Sequence, residues 1–236
     1  LKNMQNVSIE IPFNINGKID IEKQKEVIEK YEYITELRKK IADYKKQIEV
    51  LKVEIRTEYQ SKYVLINNIF DFKRGRVISK KDLIDNAGEY PVYSSNTIEN
   101  GIFGYLNSFD FDCEGITWTT DGIYAGTTFC RKGKFSITNV CGLMTVKREF
   151  VDAIYLPFVN AVLNFRNIAT GTDNKKVMTN VILNSNTTIK IPVNSKGEFD
   201  LSTQKEIAEK YRKIEQIKKS ISEELDKISK TEIDFE

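Results

Sequence analysis

The sequence predicts an α+β chain: a mixed, β-rich middle domain flanked by two long helices that fold back on each other as an antiparallel coiled coil. Three observations predict it. A segment near the N-terminus returns near the C-terminus at an offset of 180 residues. Each copy leads into a stretch with the apolar spacing of a helical seam. Between the copies the pattern changes to short β-rich runs separated by turn residues.

The repeat is read directly from the chain. Ile11-Pro12-Phe13-Asn14-Ile15-Asn16-Gly17-Lys18-Ile19-Asp20 returns as Ile191-Pro192-Val193-Asn194-Ser195-Lys196-Gly197-Glu198-Phe199-Asp200. Gln24-Lys25-Glu26 and Glu29-Lys30-Tyr31 return as Gln204-Lys205-Glu206 and Glu209-Lys210-Tyr211. Units of a solenoid recur every 20–50 residues or so. A single return at this distance describes one connector used twice, with a separate domain between the copies. The expected segments are 1–19, 20–58 (first connector helix), 60–186 (middle domain) and 187–236 (second connector strand and helix).

The first helix is expected from about 21 to 57, with Asp20 as N-cap and Lys23 at the third position, so its capping box is incomplete. Ile34, Leu37, Ile41, Tyr44, Ile48, Leu51 and Ile55 alternate spacings of three and four, the seam of a coiled coil. The second helix, from Leu201 to about Ile228, places Ile207, Ile214, Ile217, Ile221 and Ile228 on a similar stripe, interrupted by Glu224 with Leu225 beside it. Left in water, each stripe forfeits about 25 cal/mol per Å² of apolar surface, so the two most simply cover each other.

In the middle segment, Tyr63–Ile66 opens the β-rich region. Strands are expected at Tyr90–Tyr93, Ile116–Thr120, Thr127–Phe129, Phe135–Ile137 and Gly142–Val146. Asn100-Gly101, Asp121-Gly122 and Lys132-Gly133-Lys134 mark turns. One helix is expected over roughly Asp152–Phe165, its regular part starting at Pro157. Ile189-Lys190-Ile191-Pro192 reads as an edge strand ended by proline.

Composition limits the chemistry. The 236 residues are 40% hydrophobic and 30% charged, with a net charge of only +2, so any nucleic-acid surface is a local patch. No run approaches the roughly 18 apolar residues of a membrane span, and no signal peptide is visible. The three cysteines, Cys113, Cys130 and Cys141, form no CxxC pair and fit reduced thiols of a cytoplasmic protein. With no histidine, Ser-His-Asp and Cys-His catalysis are excluded. Asp110, Asp112 and Glu114 alternate along the chain, but without the glycine and distal glutamate of a calcium loop they read as a solvated strand face. No cofactor glycine loop is present. The chain is expected to have no catalytic residue, no cofactor and no metal. It opens on Leu1, which fits the later part of a longer polypeptide.

Ile191-Pro192, Asp200, Gln204-Lys205-Glu206-Ile207 and the heptad helix that follows resemble the connector region of Type I restriction-modification specificity subunits. The later prolines of the family's Ile-Pro-Leu-Pro-Pro-like strand are missing from both copies. The middle segment is similar to a target recognition domain of that family. The likeness runs through Ile69–Arg76, Gly88–Asn96, Trp118–Gly122, Phe135–Asn139 and Ala169–Thr172, followed by Lys175-Lys176. Residues 1–19 then correspond to the tail of a preceding domain and a connector strand. The resemblance implies a non-catalytic, sequence-specific DNA recognition subunit, bacterial or archaeal, that reads one half of a bipartite target. Implied partners are double-stranded DNA, the methyltransferase (modification) subunits, the restriction subunit, and a second recognition domain, in the same chain or by homodimerisation. A helix of about 37 residues at ~1.5 Å each is a rigid spacer of roughly 55 Å, about one and a half turns of DNA. Two rivals stay open: the recognition region of a fused Type II restriction-methyltransferase polypeptide, and a coiled-coil interaction module that binds no DNA.

Within the middle domain Lys73, Arg74, Arg76, Lys80 and Lys81 form the densest basic cluster, expected to touch phosphates. Arg131, Lys132, Lys134 and the pair Lys175-Lys176, with Thr172 and Asn174 beside it, are weaker patches of the same kind. Ser94, Ser95 and Asn96, and Thr119, Thr120 and Asp121, carry short donors and acceptors suited to base edges. Their competing reading is plain turn chemistry. Trp118 is expected in the core.

Overall fold

The computed structural model describes residues 11–50, 59–172 and 174–230. The chain divides into two compact units, one drawn from Leu1–Glu54 and Lys213–Glu236, the other from Ile55–Arg212. Together they make an α+β chain of long helices and a β-rich body.

The repeat folds the same way twice. Asn14 Oδ1 accepts from the backbone N–H of Asn16 and Lys18, Gly17 takes φ +68°, and Phe13 bridges Ile19. Asn194 Oδ1 likewise accepts from Lys196 and Glu198, Gly197 takes φ +76°, and Val193 bridges Phe199. Each loop ends in an aspartate N-cap: Lys23 N–H donates to Asp20 at 2.9 Å, Thr203 N–H to Asp200 at 3.1 Å.

Helix α1 (Ile21–Val50) follows the first copy. Ile34, Ile41 and Ile48 are half-buried, while Leu37 and Tyr44 are exposed and Leu51 and Ile55 lie outside the described residues. In the stretch Lys213–Lys230 of the second long helix, Ile214, Lys218, Ser222, Leu225 and Ser229 are half-buried, whereas Ile217, Ile221 and Ile228 are 59%, 42% and 57% exposed. The expected seam therefore differs: five of its isoleucine, leucine and tyrosine positions face outward. The inward line advances by fours and threes from Ile214, flanking rather than containing Ile217 and Ile221. Lys45 and Asp226 join the two long helices by an ion pair at 2.7 Å.

The second unit begins with β1 (Ser61–Leu65) and a single turn, α2 (Ile66–Ile69). There follow β2 (Phe70–Arg74), α3 (Lys80–Asp85), β3 (Tyr90–Tyr93), β4 (Ile102–Leu106), β5 (Phe111–Thr119), β6 (Thr128–Ile137) and β7 (Cys141–Val146). Helices α4 (Leu156–Val162) and α5 (Thr179–Asn184), strand β8 (Thr188–Pro192) and the part of helix α6 (Leu201–Lys230) up to Arg212 complete it. Six strands form one sheet in the order β2-β7-β5-β6-β3-β4, and β1 pairs antiparallel with β8 in a second. That pairing draws the second connector strand into the globular unit.

Lys132-Gly133-Lys134 is no turn: β6 runs through it, and Gly133 sits opposite Cys113 at φ +91°, absorbing the break within the ladder. The helix expected over Asp152–Phe165 is regular only from Leu156 to Val162, with Pro157 in its first turn. Asn164 then caps a 3-10 turn at Phe165–Ile168.

The core lies between the sheet and α4–α6. Trp118 is fully buried, edge-on to Phe72 and Phe165, and its indole N–H donates to the Val177 carbonyl at 2.8 Å. Across the β5–β7 ladder sits Gly142, where a Cβ would lie 2.2 Å from the indole ring, so only glycine leaves room for Trp118. The connector helix is tied in by Gln204, also fully buried. Its Oε1 accepts from Tyr155 N–H and its Nε2 donates to the Ala153 carbonyl, both at 2.9 Å. Ile207 and Ala208 pack into the same core. No helix among the described residues is long and apolar enough to cross a membrane.

Candidate nucleic-acid interface

The turn Thr138–Cys141, linking β6 to β7, is where distant loops meet. Thr138 N–H donates to Tyr93 O at 2.9 Å and its hydroxyl to Ser94 Oγ at 2.9 Å, holding the segment after β3. Arg76 bridges Thr138, and Gly75 N–H donates to Cys141 O, holding the segment after β2. A Cβ on Gly75 would fall 2.2 Å from Thr138 O, so the approach requires glycine. On the other side Thr120 N–H donates to Val140 O at 3.1 Å. Thr120 O accepts from Val177 N–H at 2.8 Å, Gly122 N–H donates to Lys175 O at 3.0 Å, and Asp121 bridges Lys176. Backbone bonds thus chain five separate loops, 74–76, 93–96, 119–122, 138–141 and 170–177, into one surface.

That surface gathers most of the expected residues. Arg74, Arg76, Lys175 and Lys176 are exposed, as are Thr172 and Asn174 beside them. Arg76 shares its charge with Asp110, Nε to Oδ2 at 3.0 Å. Asn96 is exposed, its Oδ1 accepting from Ile98 N–H; Ser94 and Ser95 are half-buried. Lys73 is exposed one residue back, its ammonium 5.6 Å from the Phe111 ring.

Other expected residues do different work. Thr119 and Thr120 are 1% and 2% exposed. The Thr119 hydroxyl donates to Tyr124 O at 2.6 Å and the Thr120 hydroxyl to the Asp121 carboxylate, so both groups are committed to their own turn. Arg131 is 6% exposed, not a phosphate ligand. Its guanidinium lies between rings, 3.6 Å from the centroid of Tyr93 and 4.7 Å from that of Phe129. Nε donates to Thr117 Oγ1 at 3.0 Å and a terminal nitrogen to Asn100 O at 2.6 Å. Burial lowers its pKa, which still leaves it charged. Its bond pins a turn in which Glu99, Asn100 and Gly101 all have positive φ, at 50°, 61° and 78°. Lys132 is exposed on the β5–β6 hairpin, ion-paired with Glu114, and Lys80 is exposed as the first residue of α3; neither joins the five-loop network.

Three contributors escaped the sequence reading. Ile123 and Tyr124 stand exposed on the turn after Asp121-Gly122, and Arg166 reaches that turn through a 2.8 Å bond to Thr127 Oγ1. An Ile-Tyr pair directly after an Asp-Gly turn signal was the available clue. Among the described residues no group of three or more His, Cys, Asp or Glu side chains is placed to hold a metal ion.

The surface therefore carries exposed cations and short polar side chains on loops tied together by backbone bonds, an arrangement suited to gripping phosphates and presenting short side chains to base edges. Comparison with known proteins is consistent in kind. The chain is 47% identical over 107 residues to the N-terminus of a putative type I specificity subunit of Mycoplasma pneumoniae, 45% of this chain and 56% of that one. A second putative type I specificity subunit of the same organism is 46% identical over 93 residues, 39% of this chain and 25% of that one. The chain thus spans about half or less of the length of these relatives. A solved chain from work on assembly and conformational transition of the type I R-M system shares the fold, with a TM-score of 0.60 at 12% identity over 96% of this chain and 61% of that one. The model of the Type I restriction modification DNA specificity domain matches residues 59–228, well over half of the sequence, and the chain belongs to that family.

Proposed function

We propose that the unit spanning residues 59–212 reads duplex DNA as one half of a bipartite target, and that the chain serves, without an active centre of its own, as the recognition component of a cytoplasmic restriction-modification complex. The observation that carries this reading is the meeting of five loops on the Thr138–Cys141 turn within a specificity-family fold. Arg74, Arg76, Lys175 and Lys176 supply phosphate contacts, and Ser95, Asn96 and Asp121 the donors and acceptors for base edges. The long helices supply spacing to a second reader, in the same polypeptide or in a second copy, and a docking face for modification and restriction subunits.

The test is selection from random duplexes by the purified chain, followed by affinity measured between roughly 50 and 200 mM salt. A consensus half-site is expected, with log affinity falling linearly in log salt. Replacing Arg74, Lys175 and Lys176 by alanine is expected to weaken all duplexes and to reduce the salt slope by about one per lost contact. Salt-independent behaviour with no consensus refutes the reading.

A further inference from the structure

Ile123 and Tyr124 are exposed apolar residues of this surface, at 77% and 52%, as are Val77 beside Arg76 and Ile98 beside Asn96. Single exposed apolar residues on ordinary loops need no explanation. This turn is different because everything around the pair is fixed. The Tyr124 carbonyl accepts from the Thr119 hydroxyl at 2.6 Å, the Thr127 hydroxyl at 2.7 Å and the Thr127 N–H at 3.1 Å. Gly126 N–H donates to Thr119 O at 2.8 Å and Ala125 N–H to Gly122 O at 3.0 Å. Gly126, at φ +86°, lies so close to the next segment that a Cβ would meet Arg166 N at 2.7 Å. The buried Thr119 therefore acts as the plug that sets the turn, rather than as a reader.

Cations lie close to the pair. Lys175 and Lys176 are joined through backbone to Gly122 and Asp121. Arg166, bonded to Thr127, holds its guanidinium 5.9 Å from the Tyr124 ring. A rigid apolar tip between cations is how side chains enter a DNA groove and pry apart a base step while phosphates are held to either side.

We propose that Ile123, backed by Tyr124, is a wedge that enters the groove and partly unstacks one base step of the target. The assignment rests on the DNA reading above. Its rigidity means that insertion orders no new backbone, and the cations offset the deformation by gripping the bent phosphates. Pyrimidine–purine steps unstack most readily, so a TA or CA step is expected at a fixed place in the selected half-site.

The experiment uses the whole chain and its selected duplex, with 2-aminopurine placed at successive positions. Binding of the wild type is expected to raise fluorescence at one step. Ile123→Ala is expected to abolish that rise and weaken affinity roughly tenfold, with the salt slope unchanged. Ile123→Leu, which keeps the apolar bulk, is expected to retain it. Trp118 emission reports that each variant is folded. A bound wild-type duplex with no rise at any position, or a rise that survives Ile123→Ala, overturns the wedge and leaves the DNA reading standing. Absence of DNA binding altogether overturns both.

Discussion

Gln204→Ala is expected to destabilise the globular unit by about 3 kcal/mol, and the figure follows from what the amide touches. Gln204 is fully buried, accepting from Tyr155 N–H and donating to Ala153 O. Each neutral hydrogen bond contributes about 1 kcal/mol net, and a partner left stranded away from water costs roughly 1–3 kcal/mol. The vacated volume, next to Ile207 and Ala208, adds a cavity cost of similar size unless water fills it. For a unit of this size 1 kcal/mol shifts Tm by about 2–4 °C, so a fall of roughly 6–12 °C is expected. The assay is urea denaturation followed by emission of Trp118, the sole tryptophan, whose indole is buried and bonded to Val177 O. Gln204→Glu keeps the shape and the acceptor but loses the donor and buries a charge opposite the Ala153 carbonyl, so it is expected to be at least as damaging. An alanine variant within about 0.5 kcal/mol of wild type, at unchanged denaturant slope, would refute the idea that this amide anchors the connector helix.

Two further outcomes are expected. Arg131→Lys is expected to fail as a conservative change, because an ammonium cannot stack between Tyr93 and Phe129 while bonding Thr117 and Asn100. A loss of about 2 kcal/mol or more in urea, with altered base preference through the freed Glu99–Gly101 turn, is the checkable result. Stability is expected to stay flat between about pH 6 and 8, since the chain has no histidine, and to decline in acid. Asp82 is held below its ordinary 3.8 by the backbone and hydroxyl of Ser79, and Asp200 below 3.8 by the hydroxyl and N–H of Thr203. Depressed carboxylates contribute stability above their unfolded pKa and lose it as pH falls through the folded one, so the decline belongs below about pH 4. Tm against pH checks it.

Much of the architecture was legible because its code is local. Asn-x-x-Gly followed by aspartate spells a turn and a cap at both ends of the chain, and alternation with Gly and Pro punctuation marks β3 and β7. Sheet order was not legible: β5 sits between β6 and β7, and β6 pairs in parallel with β3, through contacts distant in sequence. The burial of Arg131 did leave a trace. Along β6, Phe129, Arg131, Phe135 and Ile137 share one face by the period of two, and a basic residue in that company faces inward. Thr119 and Thr120 left none, because the end of β5 is covered on both faces and alternation disappears there. The half-buried line of the second long helix passes beside the heptad positions Ile217 and Ile221, a shift that spacing within one helix does not encode.

The two copies of the connector turn differ in one respect that bears on what holds them. In the second copy Ile191, Ile207 and Ala208 are buried; in the first, Ile11, Phe13 and Ile28 are 47%, 62% and 55% exposed. The backbone hydrogen bonds within the turn, the glycine conformation and the aspartate cap are nevertheless the same. The corner thus keeps one form, written in about ten residues, at two different levels of exposure. Such a fitting is portable, able to aim the helix that follows it in a set direction whichever body stands in front.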